Sequence, residues 1–211
     1  MRTIIYIAGL FVSIIANAQN RVAVIDTGIV VNDKNRFYLC ESGHQDFTGF
    51  GLYDDEGHGT TVVDYIIDNA KTKNFCIVVL KFYQRNLSNK AVVSATIQAL
   101  KQVNKLNIRL VNYSASGAFR SLEEETTIRS MLSTTIVVAA GNDGVNLDDS
   151  PRFPASYGYS NVVVVGALTE EGKRQKISNY GTVVTEWEKA KATSYATAIK
   201  TGKLIHERFA K

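Results

Sequence analysis

A serine set where a helix begins is the first feature of this chain with chemical potential. Between Lys191 and Lys211 the apolar residues Tyr195, Ala198, Ile199, Gly202, Ile205 and Phe209 recur at three- and four-residue steps. Lys200, Lys203, Glu207 and Lys211 fall opposite them, a pattern that predicts an amphipathic helix. Thr193 is a suitable N-cap, and Arg208 and Lys211 complement the negative end of the helix dipole. Ser194 then lies in the first turn, where unpaired N–H groups and a partial positive charge favour an oxyanion. Taken alone, a serine after a threonine cap is ordinary helix-start chemistry. It becomes more only if a base can reach its hydroxyl.

A serine attacks a carbonyl after shedding its proton to a positioned base, and histidine is the side chain best able to take and return it. The chain has three histidines. His206 lies on the helix of Ser194 itself, about 18 Å further along at ~1.5 Å per residue, and is too distant. His44 sits in a polar loop and reads as solvated. His58, between Gly57 and Gly59 at a helix start, remains. A helix N-terminus disfavours imidazolium, so this base needs a carboxylate to hold its tautomer and stabilise its charge. Asp26, closing the first apolar run, is the candidate. Asp54, Asp55 and Glu56 adjoin His58 in sequence, but they read as a solvated turn or at most a weak calcium site. No metal site is expected, and no cofactor is required for this chemistry.

The elements that must position these groups alternate along the chain. Arg21 to Asp26, Phe75 to Tyr83, Ile108 to Ser114, Thr135 to Ala140 and Asn161 to Leu168 are apolar runs of strand length, and Asn35 to Cys40 reads as a shorter strand. Thr60 to Ala70 and Ser88 to Lys105 carry helical periodicity, and Ser121 with Glu124 forms a capping box opening a helix to about Leu132. Glu41 to Gly57 is a loop by composition. Continuous Val, Ile and Leu runs, in place of in–out alternation, argue for strands buried on both faces. The expected fold is a three-layer α/β sandwich, a mostly parallel central sheet flanked by helices. In such sheets the working groups gather at the carboxyl ends of the strands. Asp26, the stretch from Ser114 to Gly117, and Gly141 with Asn142 each follow a strand.

Bulk properties narrow the setting. Arg2, the apolar run from Ile4 to Ile15 and Ala16-Asn17-Ala18 read as a signal peptide over residues 1–18, and residues 19–211 read as one domain. Export to the periplasm or the medium follows. The apolar run is short for a stable membrane span, and no second long one is present. Cleavage after Ala18 would leave 193 residues, enough for a single core. The net charge of +4 comes without a basic run or interleaved aromatics, so nucleic acid is not an expected partner. Cys40 and Cys76 enter an oxidising compartment, where one disulfide is expected against the alternative of two buried thiols.

Four segments in order, Val24-Ile25-Asp26-Thr27-Gly28, Gly57-His58-Gly59-Thr60, Val138-Ala139-Ala140-Gly141-Asn142 and Ala192-Thr193-Ser194-Tyr195-Ala196, resemble those of the subtilisin-like serine proteases, the subtilases. The resemblance spans nearly all of the chain after Arg21. It implies a serine endopeptidase with Asp26, His58 and Ser194 as its triad, acting on polypeptides through an acyl-enzyme. It implies that Asn142 lends its side chain to an oxyanion hole with the Ser194 N–H. It further implies that Ser114, Ala115, Ser116 and Gly117 form an edge on which an extended substrate adds as a strand.

The chain also departs from the family pattern. Ala192 stands for the usual glycine, Tyr195 for methionine and Ala198 for proline, and Thr61-Val62-Val63-Asp64 replaces His-Val-Ala-Gly. The approach to the nucleophile from Ser178 to Lys191 is short. On this reading the signal is expected to run straight into the first strand, without a pro-domain of the kind relatives carry, and a separate folding helper or inhibitor is an expected partner. The contrasting reading is a subtilase fold silenced by these changes and kept as a binding or regulatory module.

Overall fold

A computed structural model describes residues 20–210. The proposed signal peptide lies outside the described residues. Seven strands form one parallel sheet: β1 (Arg21–Asp26), β2 (Gln45–Asp46), β3 (Cys76–Lys81), β4 (Leu110–Tyr113), β5 (Thr135–Ala139), β6 (Val162–Leu168) and β7 (Glu186–Lys189). Their order is β2-β3-β1-β4-β5-β6-β7, and every paired neighbour runs parallel. The helices are α1 (His58–Ala70), α2 (Asn89–Lys105), α3 (Leu122–Ser130) and α4 (Thr193–Phe209).

The continuous apolar runs are explained by two cores. Alternate residues of β1 point to opposite faces. Val22 and Val24 pack with Val62, Ile66, Ala198 and Ile205 of α1 and α4. Ala23 and Ile25 pack with Ala99, Leu100 and Val103 of α2 and Ile128 of α3. No strand in the middle of the sheet has a wet face, so none alternates polar with apolar.

Several local expectations are corrected. Residues 35–40 are not a strand: Asn35–Phe37 is a 3-10 turn, followed by one bridge from Leu39 to Ile77. The Asn32 Oδ1 accepts the N–H groups of Lys34 and Asn35, and Asn35 Oδ1 accepts that of Asn32. These local bonds draw the backbone into a turn. The seventh strand went unseen because Glu186-Trp187-Glu188-Lys189 is mostly charged, which fits an edge and not a buried interior. On α4 the buried residues are Thr193, Ser194, Ala196, Thr197, Ala198, Thr201, Gly202 and Ile205, a face rotated from the purely apolar stripe. Its threonines are buried because each has a hydrogen-bonding partner there.

Cys40 and Cys76 are joined, with Cα atoms 4.9 Å apart and a separation of 36 positions in sequence. The bond fastens the loop ahead of β2 to the start of β3. His44, inside that loop, is not the solvated residue its sequence suggests. Its Nδ1 accepts the Val79 N–H at 3.0 Å and its Nε2 donates to the Cys40 carbonyl at 2.7 Å. A cross-link closing a loop of this length is worth about 3–4 kcal/mol on the chain-entropy account. Urea unfolding with and without a thiol reductant tests it, the reduced protein being less stable by that amount.

Candidate active site

The strand order reverses at β1, whose neighbours β3 and β4 lie on either side of it. Connections from such a strand leave in opposite directions and open a crevice at its carboxyl end. Asp26 ends β1 in that crevice, and Ser114 leaves β4 next to it, since Ile25 pairs with Tyr113. Gly141 and Asn142 leave β5, the neighbour of β4.

Asp26 is 1 % exposed. Its Oδ1 accepts the N–H of Thr27 at 2.8 Å and Nδ1–H of His58 at 2.7 Å, while Oδ2 has no partner among the described residues. His58 itself is half-buried, and its Nε2 has no hydrogen-bond partner among the described residues. Burial works against its charged form, but the hydrogen bond and charge of Asp26, with a contribution from Asp54, outweigh it and raise the imidazole pKa above its ordinary value.

His58 is the first residue of α1, and that helix start is built by residues sequence reading undervalued. Asp54 is no solvated turn: it is 3 % exposed. Its Oδ1 accepts Thr27 Oγ1–H at 2.7 Å and the Gly57 N–H at 2.9 Å, and its Oδ2 accepts the Thr60 N–H at 2.8 Å and hydroxyl at 2.6 Å. Burial alone would raise its pKa; these four donors hold it below the usual carboxylate value. With both oxygens engaged, Asp54 fastens the start of α1 by accepting two N–H groups that the helix leaves unpaired. The Thr27 hydroxyl also accepts the Gly59 N–H at 2.8 Å. A side chain on Gly59 would run into the Gly28 carbonyl, so glycine there lets α1 approach β1 closely enough for His58 to meet Asp26. Lys81, fully buried at the end of β3, donates to the Tyr53 carbonyl at 2.6 Å and pins the segment carrying Asp54. Its one sequence signal is a lone lysine closing an apolar run. Asp55 faces Lys81, and Glu56 pairs with Arg85 at 2.9 Å.

Ser194 occupies the first turn of α4 and is 8 % exposed. The cap is Ala192, not Thr193. The Ala192 backbone is extended, at φ −150° and ψ 159°, a conformation open to any residue, so glycine is not needed there. Thr193 instead reaches across: its N–H and hydroxyl both donate to Asn142 Oδ1 at 3.0 Å, and its Oγ1 accepts the Gly141 N–H at 3.2 Å. Because a backbone N–H can only donate, the amide oxygen of Asn142 must face the helix, and its NH₂ faces away with no partner among the described residues. Gly141 has φ 99°, and a side chain there would strike Asn179 and Ser116. Buried Asn179 holds this turn, donating to the Ala140 carbonyl and accepting the N–H groups of Asp143 and Val145.

A buried polar relay joins α4 to β4. Thr201 Oγ1 donates to Asn112 Oδ1 at 2.9 Å, Asn112 Nδ2 donates to Ser114 Oγ at 2.9 Å, and Ser114 Oγ donates to the Ser194 carbonyl at 3.0 Å. Asn112, the lone amide within an apolar strand, was the legible sign of it. The structure brings Asp26 and His58 into contact but does not join His58 to Ser194: the Ser194 hydroxyl donates to the Ser114 carbonyl at 3.1 Å. The Tyr195 ring stacks on Tyr65 of α1 at 5.0 Å and lies 6.1 Å from the His58 ring, which sets the start of α4 against the imidazole. A cavity of about 410 Å³ beside Ser194 is lined by Ser114 to Ala118, Asn142, Asp143 and Arg152. Arg152 Nε donates to Asp143 at 2.8 Å on its wall.

These features define a class: a parallel α/β domain with an acid–imidazole couple and a helix-start serine on the carboxyl rim of its sheet. The chain belongs to the subtilase family, whose sequence model matches residues 18–203. It is 32% identical over 173 residues to subtilisin-like protease 2 of Trichophyton rubrum, a match covering 78% of this chain and 40% of that protein. The chain thus spans about two fifths of the length of the curated relatives it matches. Among solved structures it is similar to the nisin leader peptidase NisP of Lactococcus lactis, with TM-score 0.72, 17% identity and coverage of 89% of this chain and 76% of that one. The epidermin leader peptide processing serine protease of Staphylococcus aureus aligns with TM-score 0.73, 19% identity and coverage of 90% and 65%.

The Asp26–His58 contact has a titration signature. A histidine whose pKa is raised on folding contributes stability that is complete below the unfolded value of ~6.5 and is lost as pH rises through the folded value. NMR titration should give His58 a midpoint above ~6.5. Asp26→Asn, which leaves burial but removes the charge, should move that midpoint down.

Proposed function

We propose that the chain is an exported serine endopeptidase that hydrolyses peptide bonds through Asp26, His58 and Ser194. The observation that supports this most directly is the hydrogen bond between buried Asp26 and His58 at 2.7 Å, made where α4 presents a serine from its first turn. In this reading Asp26 fixes the tautomer with the proton on Nδ1, which leaves Nε2 a lone pair. The Ser194 hydroxyl turns from the Ser114 carbonyl towards Nε2 and gives up its proton as Oγ bonds to the substrate carbonyl carbon. Catalytic hydrogen bonds of this kind are often unmade until substrate is present.

The resulting oxyanion meets the free amide NH₂ of Asn142 and the Ser194 N–H, both of them donors without an acceptor among the described residues. His58 then hands its proton to the leaving amine, the C–N bond breaks, and an acyl-serine remains for water to hydrolyse by the same steps reversed. Substrate lies along Ser114 to Gly117, bonding through its main chain. Polypeptide is the substrate class, and a signal peptide over residues 1–18 accounts for export. Among the described residues no helix is long and apolar enough to cross a membrane.

One observation favours the second reading, a catalytically silent binding or regulatory module: the Ser194 hydroxyl donates to the Ser114 carbonyl and not to His58. A fluorophosphonate probe separates the two. Labelling of the wild type that vanishes in Ser194→Ala and in His58→Ala supports the protease. No labelling of folded protein supports the silent module. Because the base must be neutral to act, labelling should rise with pH through the raised His58 midpoint. Asn142→Ala should slow turnover by about 10²–10³, the size of the effect seen with the oxyanion-hole asparagine of subtilisin.

A further inference from the structure

The Ser114–Gly117 edge borders a second cavity, of about 440 Å³, whose lining runs from Asp26 and His58 to Glu124 and does not include Ser194. Its walls are largely apolar, with Phe82, Tyr83, Leu87, Val92, Phe119 and Phe153 among them. Asp26 and His58 are paired with each other, and the other carboxyl in the lining is Glu124, 5 % exposed at the first turn of α3.

The three acids of that turn are treated differently. Glu123 pairs with Lys101 at 2.7 Å and Glu125 with Arg120 at 2.8 Å, both near the surface. No cation pairs with Glu124 among the described residues. It receives hydrogen bonds from the hydroxyls of Tyr113, at 3.1 Å, and Tyr157, at 2.7 Å. Burial pushes its pKa up, and the two phenols only partly oppose this. Helix capping does not account for it. A capping box would turn the Glu124 carboxylate onto the Ser121 N–H, yet that N–H donates to the Tyr157 hydroxyl at 3.3 Å. Only the other half of the box is made, from the Glu124 N–H to Ser121 Oγ. The acid thus has no paired cation among the described residues and faces a cavity with several apolar walls, a costly arrangement that a cation would relieve.

We propose that this cavity selects peptides with a lysine or arginine side chain, whose methylene stem lies along the apolar walls while its cationic head meets Glu124. The proposal rests on the reading of Ser114–Gly117 as a peptide-binding edge. A peptide strand laid there sends its side chains alternately to opposite sides, so the selected residue is not the one entering the cavity beside Ser194.

The test uses the full chain carrying Ser194→Ala, which keeps peptides intact, and fluorescence anisotropy with labelled peptides. Lysine, arginine, norleucine and citrulline are placed at each position in turn of a neutral sequence. The expected result is one position at which lysine binds about ten- to hundredfold more tightly than norleucine, and arginine likewise than citrulline, as a charge-assisted hydrogen bond implies. Glu124→Gln should bring that ratio towards one. If this variant does not fold, the arginine and citrulline pair decides the matter in the protein that retains Glu124. Equal binding of charged and neutral side chains, a preference that survives Glu124→Gln, or no binding of any peptide overturns the proposal. Cation selectivity in a protein whose wild type resists the fluorophosphonate would retain this site and remove the protease reading; labelling without selectivity would do the reverse.

Discussion

A carboxylate almost without solvent, Asp26 at the end of the central strand, sets the terms for everything around it. Taking such a group out of water is costly unless donors replace the water, and the structure supplies them at Oδ1. The Thr27 N–H and the His58 imidazole serve Oδ1 directly, while Thr27 also ties in Asp54 and through it the start of α1. The helix start, the close approach at Gly59 and the buried Lys81 under Tyr53 all hold one ring against one oxygen. Oδ2, without a donor among the described residues, increases the need for the two short bonds at Oδ1.

The serine half of the site is fixed by different means. Where Asp26 relies on charge, α4 relies on neutral hydrogen bonds buried beneath it, running from Thr201 through Asn112 and Ser114 to the Ser194 carbonyl. Asn142 and Thr193 add a second tether from β5. The two halves meet through Tyr195, which stacks on Tyr65 and flanks His58. A thioether in that place could fill the space but could not stack. Ala192 and Ala198 are accommodated without strain, the first because its backbone is extended, the second because α4 continues through it as regular helix.

Much of this was legible in the sequence, for reasons specific to each residue. Parallel strands covered on both faces become unbroken apolar runs, so β1, β3, β5 and β6 could be read almost to the residue. Asp26, Asn142 and the serine at the start of α4 stood out because each follows such a run or opens a helix. What escaped depended on partners distant in sequence. Asp54 looks solvated until Thr27 and Thr60 are placed around it. His44 looks like a loop residue until β3 offers it the Val79 N–H. Thr193 looks like a cap until Asn142 arrives from β5 to do that work. The charged β7 has no apolar signature because an edge strand has only one neighbour to satisfy.

The two ends of the sheet carry one more implication. One margin is β2, two residues long; the other is β7, whose Glu186 and Glu188 are engaged by Lys200 and Lys203 of α4. Neither offers the long, flat, apolar ladder onto which another chain could zip. A domain whose seven strands are otherwise rich in valine and isoleucine is in this way shielded from adding to its own kind, and can remain dispersed when crowded.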